Sequence, residues 1–197
     1  MRRSLMLAVF GPALGLTLAL AGCASPNPEL YTIAPVPGPV QKGGPQVVAL
    51  QQIGLARYLE RQQIVRSSEN YKLDVSANDW WGEPLAAMVS RVLIEELGQR
   101  LPQSTVISES GAVSSSPDST VEVNILRLDL DGAGNLVLHA QASIRSRARD
   151  EPVLQSFRFS VRPASPGTQG QVAAISTALG QLADKLAPMI RTGSTVQ

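Results

Sequence analysis

Residues 136–147, LVLHAQASIRSR, decide the fold class of this chain. Apolar and polar side chains alternate along this stretch, so that one side carries Leu136, Leu138, Ala140, Ala142 and Ile144 and the other carries His139, Gln141, Ser143, Arg145 and Arg147. A period of two is typical of a strand with one face buried and the other in water. The sequence therefore predicts a sheet with one dry face and one wet face.

The stretches on either side extend this sheet. Residues 120–130 alternate until the phase changes at Leu126, which predicts a β-bulge or burial on both faces. Residues 131–135, DGAGN, predict a hairpin turn, and residues 153–162 alternate again. Residues 120–162 are therefore predicted to form a three-stranded antiparallel meander. Shorter strands are predicted at residues 47–50, 64–66, 71–75 and 105–107.

Two segments change to a helical period. In the first, Asn78 or Asp79 is predicted to cap the helix, Pro84 lies near its start and Pro102 ends it. Its predicted apolar face consists of Leu85, Met88, Val89, Val92, Leu93 and Leu97. In the second, the spacing is three and four in alternation, at Val172, Ile175, Leu179, Leu182, Leu186 and Met189. The predicted fold class is α+β, a mostly antiparallel sheet with two helices packed on one face.

The N-terminus reads as an export signal. Arg2 and Arg3 precede a stretch without charge, residues 5–20, which is too short and interrupted to span a bilayer comfortably. The following Leu20-Ala21-Gly22-Cys23 resembles the lipobox of bacterial lipoproteins. In these proteins the cysteine thiol receives diacylglycerol, signal peptidase II cuts just before the cysteine, and the new N-terminus receives an N-acyl chain. The alternatives are an ordinary cleaved signal with a chance cysteine, or an uncleaved anchor. Cys23 is the only cysteine, so no intramolecular disulfide is possible.

The predicted organisation has four parts. Residues 1–22 are the signal peptide, residues 23–45 the lipidated N-terminus and a Pro/Gly-rich tether, residues 46–192 the domain and residues 193–197 a tail. Residues 24–45 hold six prolines, which favours a stiff tether of the polyproline type. Within it, the β-prone residues 30–33, LYTI, are either a free spacer or a strand that pairs with the edge of the sheet.

The residues that could carry chemistry are sparse. His139 is the only histidine and lies on the wet side of its strand, so it predicts neither a metal site nor a catalytic triad. The carboxylates Glu95-Glu96 and Asp129 with Asp131 are predicted to lie on solvated faces. Residues 1–22 hold two of the 17 basic and none of the 16 acidic side chains, so the mature charge is about −1 and does not indicate nucleic acid binding. We expect a protein that is not an enzyme and has no metal or other cofactor.

Three features are candidates for contact with a partner. The first is an arginine-rich face, the second is Trp80-Trp81, of which one ring can enter the core, and the third is the loop at residues 55–65. Each has an ordinary structural explanation: a wet sheet face, core packing and a surface loop. The candidate partner-contact residues are Tyr58, Arg61, Trp80, Arg145, Arg147 and Arg158.

Three segments, in order along the chain, resemble the PqiC-type family of ABC-type transport auxiliary lipoproteins. Residues 55–65, LARYLERQQIV, are similar to the family's L-P-x-Y-L-x-R-P-Q-I-V, and Asn70-Tyr71 followed by residues 81–85, WGEPL, is similar to its W-x-E-P-L. Residues 30–33 are similar to its Y-x-L start. Ala56 and Gln62 stand where prolines are usual, and Trp80 stands where a basic residue is common.

The resemblance implies a non-catalytic accessory subunit of an MCE-linked lipid transport system that maintains the envelope. The implied partners are an MCE-domain protein and the transporter permease, with a homo-oligomer as a further possibility. Residue 24 is Ala rather than Asp, which by resemblance to enterobacterial sorting favours the periplasmic face of the outer membrane. Two alternatives stay open: an assembly or escort lipoprotein for an outer-membrane machine, and a lipid-binding carrier.

Overall fold

The computed structural model describes residues 27–112 and 116–193, so the signal peptide, the lipobox and Cys23 lie outside the described residues. The strands are β1 (Glu29–Tyr31), β2 (Val47–Leu50), β3 (Gly54–Leu55), β4 (Gln63–Ser67), β5 (Asp74–Trp81), β6 (Thr105–Ser108), β7 (Ser119–Leu130), β8 (Leu136–Ser146) and β9 (Val153–Val161), and the helices are α1 (Leu85–Arg100) and α2 (Gly167–Gly193). All the described strands belong to one sheet.

The predicted meander is confirmed, with β7 inside the sheet and β9 at one edge. β8 pairs antiparallel with β7 on one side and with β9 on the other. The register of β7 and β8 shifts between Ile125 and Arg127, which places a bulge at Leu126, where the alternation changes phase. The predicted hairpin turn is closed by the Asp131 N–H, which donates to the Asn135 carbonyl at 2.8 Å.

The other edge of β7 is shared among three short parallel strands. β2 lies beside its beginning, β3 beside its middle, and Ser67 at the end of β4 beside its last residue, Leu130. The sheet therefore branches from β7. β2 continues to β6 at one end, and β4 continues through β5 to β1 at the other.

Both helices cover the dry face, as predicted. Leu136, Leu138 and Ile144 of β8 are almost fully buried in one core with Leu179 and Leu182 of α2. Each such side chain contributes about 1.5–3 kcal/mol when it is fully buried. The predicted stripe of α2 lies inside, except that its last member is Ile190 rather than the half-buried Met189. Within the described residues, no helix is long and apolar enough to cross a membrane.

The predicted start of α1 and the nearby strand were wrong in detail. Asn78 and Asp79 lie inside β5, and the residue before the helix is Pro84, which offers no side-chain cap. The fixed φ of proline suits this position, and the first helical bond runs from the Met88 N–H to the Pro84 carbonyl at 3.1 Å. The strand predicted at residues 71–75 begins only at Asp74, because Tyr71 belongs to the preceding turn.

Residues 27–45 are not a separate tether. β1 pairs in parallel with the edge of β5. Of the two alternatives for residues 30–33, a free spacer or a strand at the edge of the sheet, the structure therefore has the strand. Residues 32–45, here called the strap, then cross the helices. The Ala34 N–H donates to Ser176 Oγ on α2 at 3.2 Å, and the Val36 N–H donates to Glu96 Oε1 on α1 at 2.8 Å. An extended, proline-rich chain can therefore lie in a groove between helices, provided that the helices supply partners for its amides.

A buried arginine holds the strap in place. The Arg100 side chain is fully buried and donates through Nε to Asp184 Oδ1 at 2.7 Å. Its other nitrogens donate to the carbonyls of Val36, Glu96 and Gly180 at 3.1–3.2 Å. Arg100 thus joins α1, α2 and the strap, and its charge is matched by the partly exposed Asp184 carboxylate.

Two carboxylates that we expected to be solvated are buried. Glu96 faces the strap, and its burial raises the pKa to about 7 despite the stabilising Val36 N–H and the nearby Arg100. Its Oε2 has no hydrogen-bond partner among the described residues. Asp129 is fully buried on the face of β7 opposite Leu128, where Tyr58 of the loop at residues 55–65 and Arg127 contact its carboxylate. The prediction of two solvated faces was therefore wrong for these residues, because it ignored what packs against them.

Candidate functional site: a groove beside helix α1

The three segments that carry the family resemblance meet at one end of β5. The Trp81 N–H donates to the Gln62 carbonyl in the loop at residues 55–65, at 2.7 Å. The next amide, of Gly82, donates to the Tyr31 carbonyl of β1 at 2.9 Å. Segments that are separate in sequence therefore fix one another through main-chain hydrogen bonds.

The loop is held at both ends and in its middle. It leaves β3 with the Ala56 N–H bound to the Ile125 carbonyl of β7 at 2.9 Å. A single 3-10 turn, Arg57–Leu59, then places Leu59 in the core. The chain turns outward again at Arg61, whose Nε donates to the Tyr58 carbonyl at 2.9 Å. Arg61 is consequently exposed on a rigid support rather than on a free loop.

Tyr58 braces this loop against the sheet. Its hydroxyl donates to Asp129 Oδ2 at 2.7 Å, and Asp129 Oδ1 accepts from Arg127 Nε at 2.9 Å. Arg127 Nη2 reaches Glu69 Oε1 at 2.6 Å. Burial, together with the bond to Asp129, raises the pKa of Tyr58 well above its usual value. The phenol therefore stays protonated and acts as a structural donor.

A cleft of about 420 Å³ lies between the loop and the start of α1. Its apolar residues include Leu55, Trp81, Pro84 and Leu85. Its charged residues are Glu60, Arg61 and Glu83, and Glu83 Oε1 also forms an ion pair with Arg91 Nη2 at 2.6 Å. Both signs of charge thus surround an apolar floor.

A second hollow of about 600 Å³ adjoins the cleft, because both are lined by Pro84 and Ala86. It continues along α1 past Ser90 and Ile94, between the helix and residues such as Ile53 and Ser108. The cleft and this hollow together are here called the α1 groove. The side chains of Ala86, Ala87 and Ser90 are small, so a peptide segment can approach the backbone of α1 closely. An apolar floor with a charged rim is the usual anatomy of a protein-binding site.

The predicted contact residues are distributed unevenly. Arg61 lines the α1 groove, whereas Tyr58 uses its hydroxyl as a brace. Of the two tryptophans, Trp81 is buried in the core and Trp80 is half-buried on the other face of β5, opposite Leu30 of β1. The pair is therefore divided between core and surface.

The arginines of the wet face do not form one cluster. Arg158 lies beside His139 in the register of β8 and β9, and Arg145 lies six residues further along β8, which corresponds to about 20 Å. Arg147 follows the end of β8, 4.0 Å from Asp118. All three are exposed, but they divide between the two ends of the face.

Sequence reasoning missed the part of the groove along α1. Ala86, Ser90 and Ile94 recur every four residues along the edge of the predicted apolar stripe of α1, where they are half-buried. That second row of small and apolar residues was a signal that could have been found. Among residues 27–112 and 116–193, no group of His, Cys, Asp and Glu side chains is arranged to hold a metal ion.

The fold is a sheet covered by two helices, with the α1 groove as an open, partly apolar surface beside the start of α1. The family model for the ABC-type transport auxiliary lipoprotein component matches residues 30–187, and the chain belongs to this family. The match begins at residues 30–33, where the chain joins the sheet, which agrees with the packing of β1 and the strap on the domain.

Solved structures show the same fold. A protein described as uncharacterized has a TM-score of 0.69 at 17% identity, covering 83% of this chain and 99% of that chain. A Xanthomonas campestris protein of the family designated DUF330 has a TM-score of 0.65 at 17% identity, covering 83% of this chain and 95% of that chain. No curated protein matches the sequence significantly.

Proposed function

We propose that this protein is a non-catalytic accessory subunit of an MCE-linked, ABC-type lipid transport system that maintains the envelope. Acyl chains on Cys23 hold it on the periplasmic face of the outer membrane, and the α1 groove binds the MCE-domain protein or the permease of the system. Membership of an auxiliary transport lipoprotein family supports the role. The observation that carries the binding site is that two of the three family-like segments line the α1 groove, while the third is hydrogen-bonded to one of its residues through the Gly82 N–H and the Tyr31 carbonyl.

The groove suits a peptide-like partner segment better than a small substrate. It is open and elongated along α1, and its apolar floor is framed by Glu60, Arg61 and Glu83. Such a surface can take an apolar anchor residue while the rim fixes orientation by charge. An internal lipid site is less favoured, because large side chains such as Leu138, Leu179 and Leu186 fill the described interface of sheet and helix without measurable exposure.

The test is a crosslinked pull-down from envelopes that carry the tagged full-length protein. The wild type should recover an MCE-domain protein and its permease. Arg61→Glu, which reverses a rim charge, and Ala86→Trp, which fills the floor, should each lower that recovery about tenfold, the effect of losing a contact of about 1.4 kcal/mol. Arg158→Glu is the matched control, because it reverses another exposed arginine that lies outside the groove.

Three other outcomes would contradict parts of this proposal. Loss of recovery with Arg158→Glu, but not with Arg61→Glu, would move the binding site to the wet face of the sheet. Recovery of only barrel or cell-wall machinery would refute the transport role and support an assembly or escort lipoprotein. Mass spectrometry of the N-terminal peptide tests the anchor separately, since an unmodified Cys23 would exclude acylation.

A further inference from the structure

The turn between β4 and β5 displays apolar side chains without burying them. Residues 69–73, here called the β5 tip, include Tyr71, which is completely exposed, and Leu73, which is 40% exposed. They are two of the five large hydrophobic side chains exposed in the described residues. Lys72 lies between them and is also exposed. An aromatic ring, an aliphatic chain and a lysine together match the chemistry of the bilayer interface.

The backbone of the tip is unusual for the residues it holds. Asn70 and Tyr71 both have positive φ, at 55° and 61°, and the Lys72 N–H donates to the Glu69 carbonyl at 3.2 Å. Hairpin turns with two successive left-handed residues strongly favour glycine, because a Cβ is crowded there. The turn therefore holds an exposed tyrosine at a position where glycine would have less backbone strain. Strain of this kind often marks a functional site.

The direction of β1 connects this tip to the proposed anchor. β1 runs parallel to β5, with Glu29 beside Asp79, so the chain enters β1 from the end of the sheet where the tip lies. Asp74, next to the tip, is five residues from Asp79, or about 17 Å along the strand. Cys23 precedes Glu29 by six residues, and six residues reach at most about 20 Å. A bilayer that holds Cys23 therefore lies within reach of the tip.

We infer that the β5 tip is a second membrane contact, in which Tyr71 and Leu73 enter the interface of the bilayer that holds the lipid on Cys23. This inference rests on the proposed acyl anchor. A short hydrophobic tip binds a bilayer weakly by itself, but the anchor makes its contact intramolecular and so raises its effective concentration. Two contacts orient the domain, whereas a single lipid attachment would leave it free to rotate.

The experiment uses the acylated, full-length protein in vesicles of phosphatidylethanolamine with a minority of phosphatidylglycerol. Cys23 is the only native cysteine, so once it is acylated a fluorophore can be attached to a single introduced thiol. Lys72→Cys places the probe in the tip. Leu154→Cys places it on β9, at a side chain that is 75% exposed and near the opposite end of the sheet. Quenching by nitroxide-labelled lipid should be several-fold stronger at position 72.

The variant Tyr71→Gly distinguishes loss of the membrane contact from loss of folding. Glycine relieves the positive φ, so this variant should unfold at the same or a higher urea concentration than the wild type. Quenching at position 72 should nevertheless fall towards the level at position 154. Unchanged quenching in Tyr71→Gly, or equal quenching at the two positions in the wild-type background, would overturn the tip contact.

Flotation with the vesicles distinguishes this failure from failure of the anchor. The wild type should float and Cys23→Ser should remain largely in solution. If the wild type does not float, the acyl anchor is refuted and the tip contact is refuted with it. If the wild type floats but the probe at position 72 is not quenched by the labelled lipid, only the tip contact is refuted.

Discussion

Glu96→Gln is expected to stabilise the protein at alkaline pH and to leave it almost unchanged at acidic pH. Glu96 is fully buried beneath the strap, and burial raises the pKa of its carboxyl to about 7 from an ordinary value of 4.5. The Val36 N–H and the charge of Arg100 lower this pKa, whereas Asp184 and Glu95 raise it. Glutamine keeps the acceptor for the Val36 amide but carries no charge.

The sign of the effect follows from proton binding. Between about pH 4.5 and pH 7 the folded protein binds a proton at Glu96 that the unfolded chain has released. The contribution of Glu96 is therefore fully present below about pH 4.5 and is lost as the pH rises through about 7. A pKa difference of this size corresponds to at most roughly 3 kcal/mol. We expect Glu96→Gln to be about 1–3 kcal/mol more stable than the wild type near pH 8.

Urea unfolding of both proteins at about pH 5 and about pH 8 measures this difference. Comparing the two proteins cancels the contributions of the ionisable groups that they share. Glu95→Gln is the matched control, because Glu95 is the exposed neighbour on α1 and raises the pKa of Glu96 less than burial does, so it should change the pH dependence only slightly. Equal pH dependence in the wild type and Glu96→Gln would refute the reasoning. So would a loss of stability in Glu96→Gln at both pH values.

Three further substitutions test the packing, each by urea unfolding. Trp81→Ala should cost about 3–5 kcal/mol because the ring is buried, whereas Trp80→Ala should cost much less; near-wild-type stability of Trp81→Ala with loss of partner binding would make Trp81 an interface residue. Tyr58→Phe should cost about 1–3 kcal/mol, since a buried carboxylate loses a donor, and no loss would show that water replaces the hydroxyl. Gly38→Ala should cost about 1–3 kcal/mol, because its Cβ would overlap the Arg100 guanidinium; an unchanged urea midpoint would mean that the strap can shift.

Local patterns were enough to predict the meander and the helices. Alternation fixes the dry face of β8, and the change of phase at Leu126 locates the bulge, since both depend only on neighbouring residues. The strap could not be predicted in this way. Its position depends on Arg100 and Asp184, which are 84 residues apart and meet only after both helices pack. A proline-rich sequence specifies an extended backbone, but it does not specify what lies beneath it.

The candidate site was predictable only in part. Resemblance selected the loop at residues 55–65 and the start of α1, but not the hydrogen bonds from Trp81 to Gln62 and from Gly82 to Tyr31 that bring them together. Those bonds depend on the pairing of β1, β4 and β5. Alternation correctly predicts that Arg145 and Arg158 share one face of the sheet. It does not predict their separation along the strands, which is set by the register of β8 and β9.

The two ends of β5 carry different candidate contact surfaces. At one end lies the β5 tip, which the chain entering β1 also approaches, and at the other end lie Trp81 and the α1 groove. Eight residues of strand, about 25 Å, separate them. If the tip and the acyl chains on Cys23 hold the membrane end, the groove faces away from that membrane, on the side from which the proposed transport partner would have to approach. The strap fixes β1 to the rest of the domain, because Arg100 joins the chain that follows β1 to both helices.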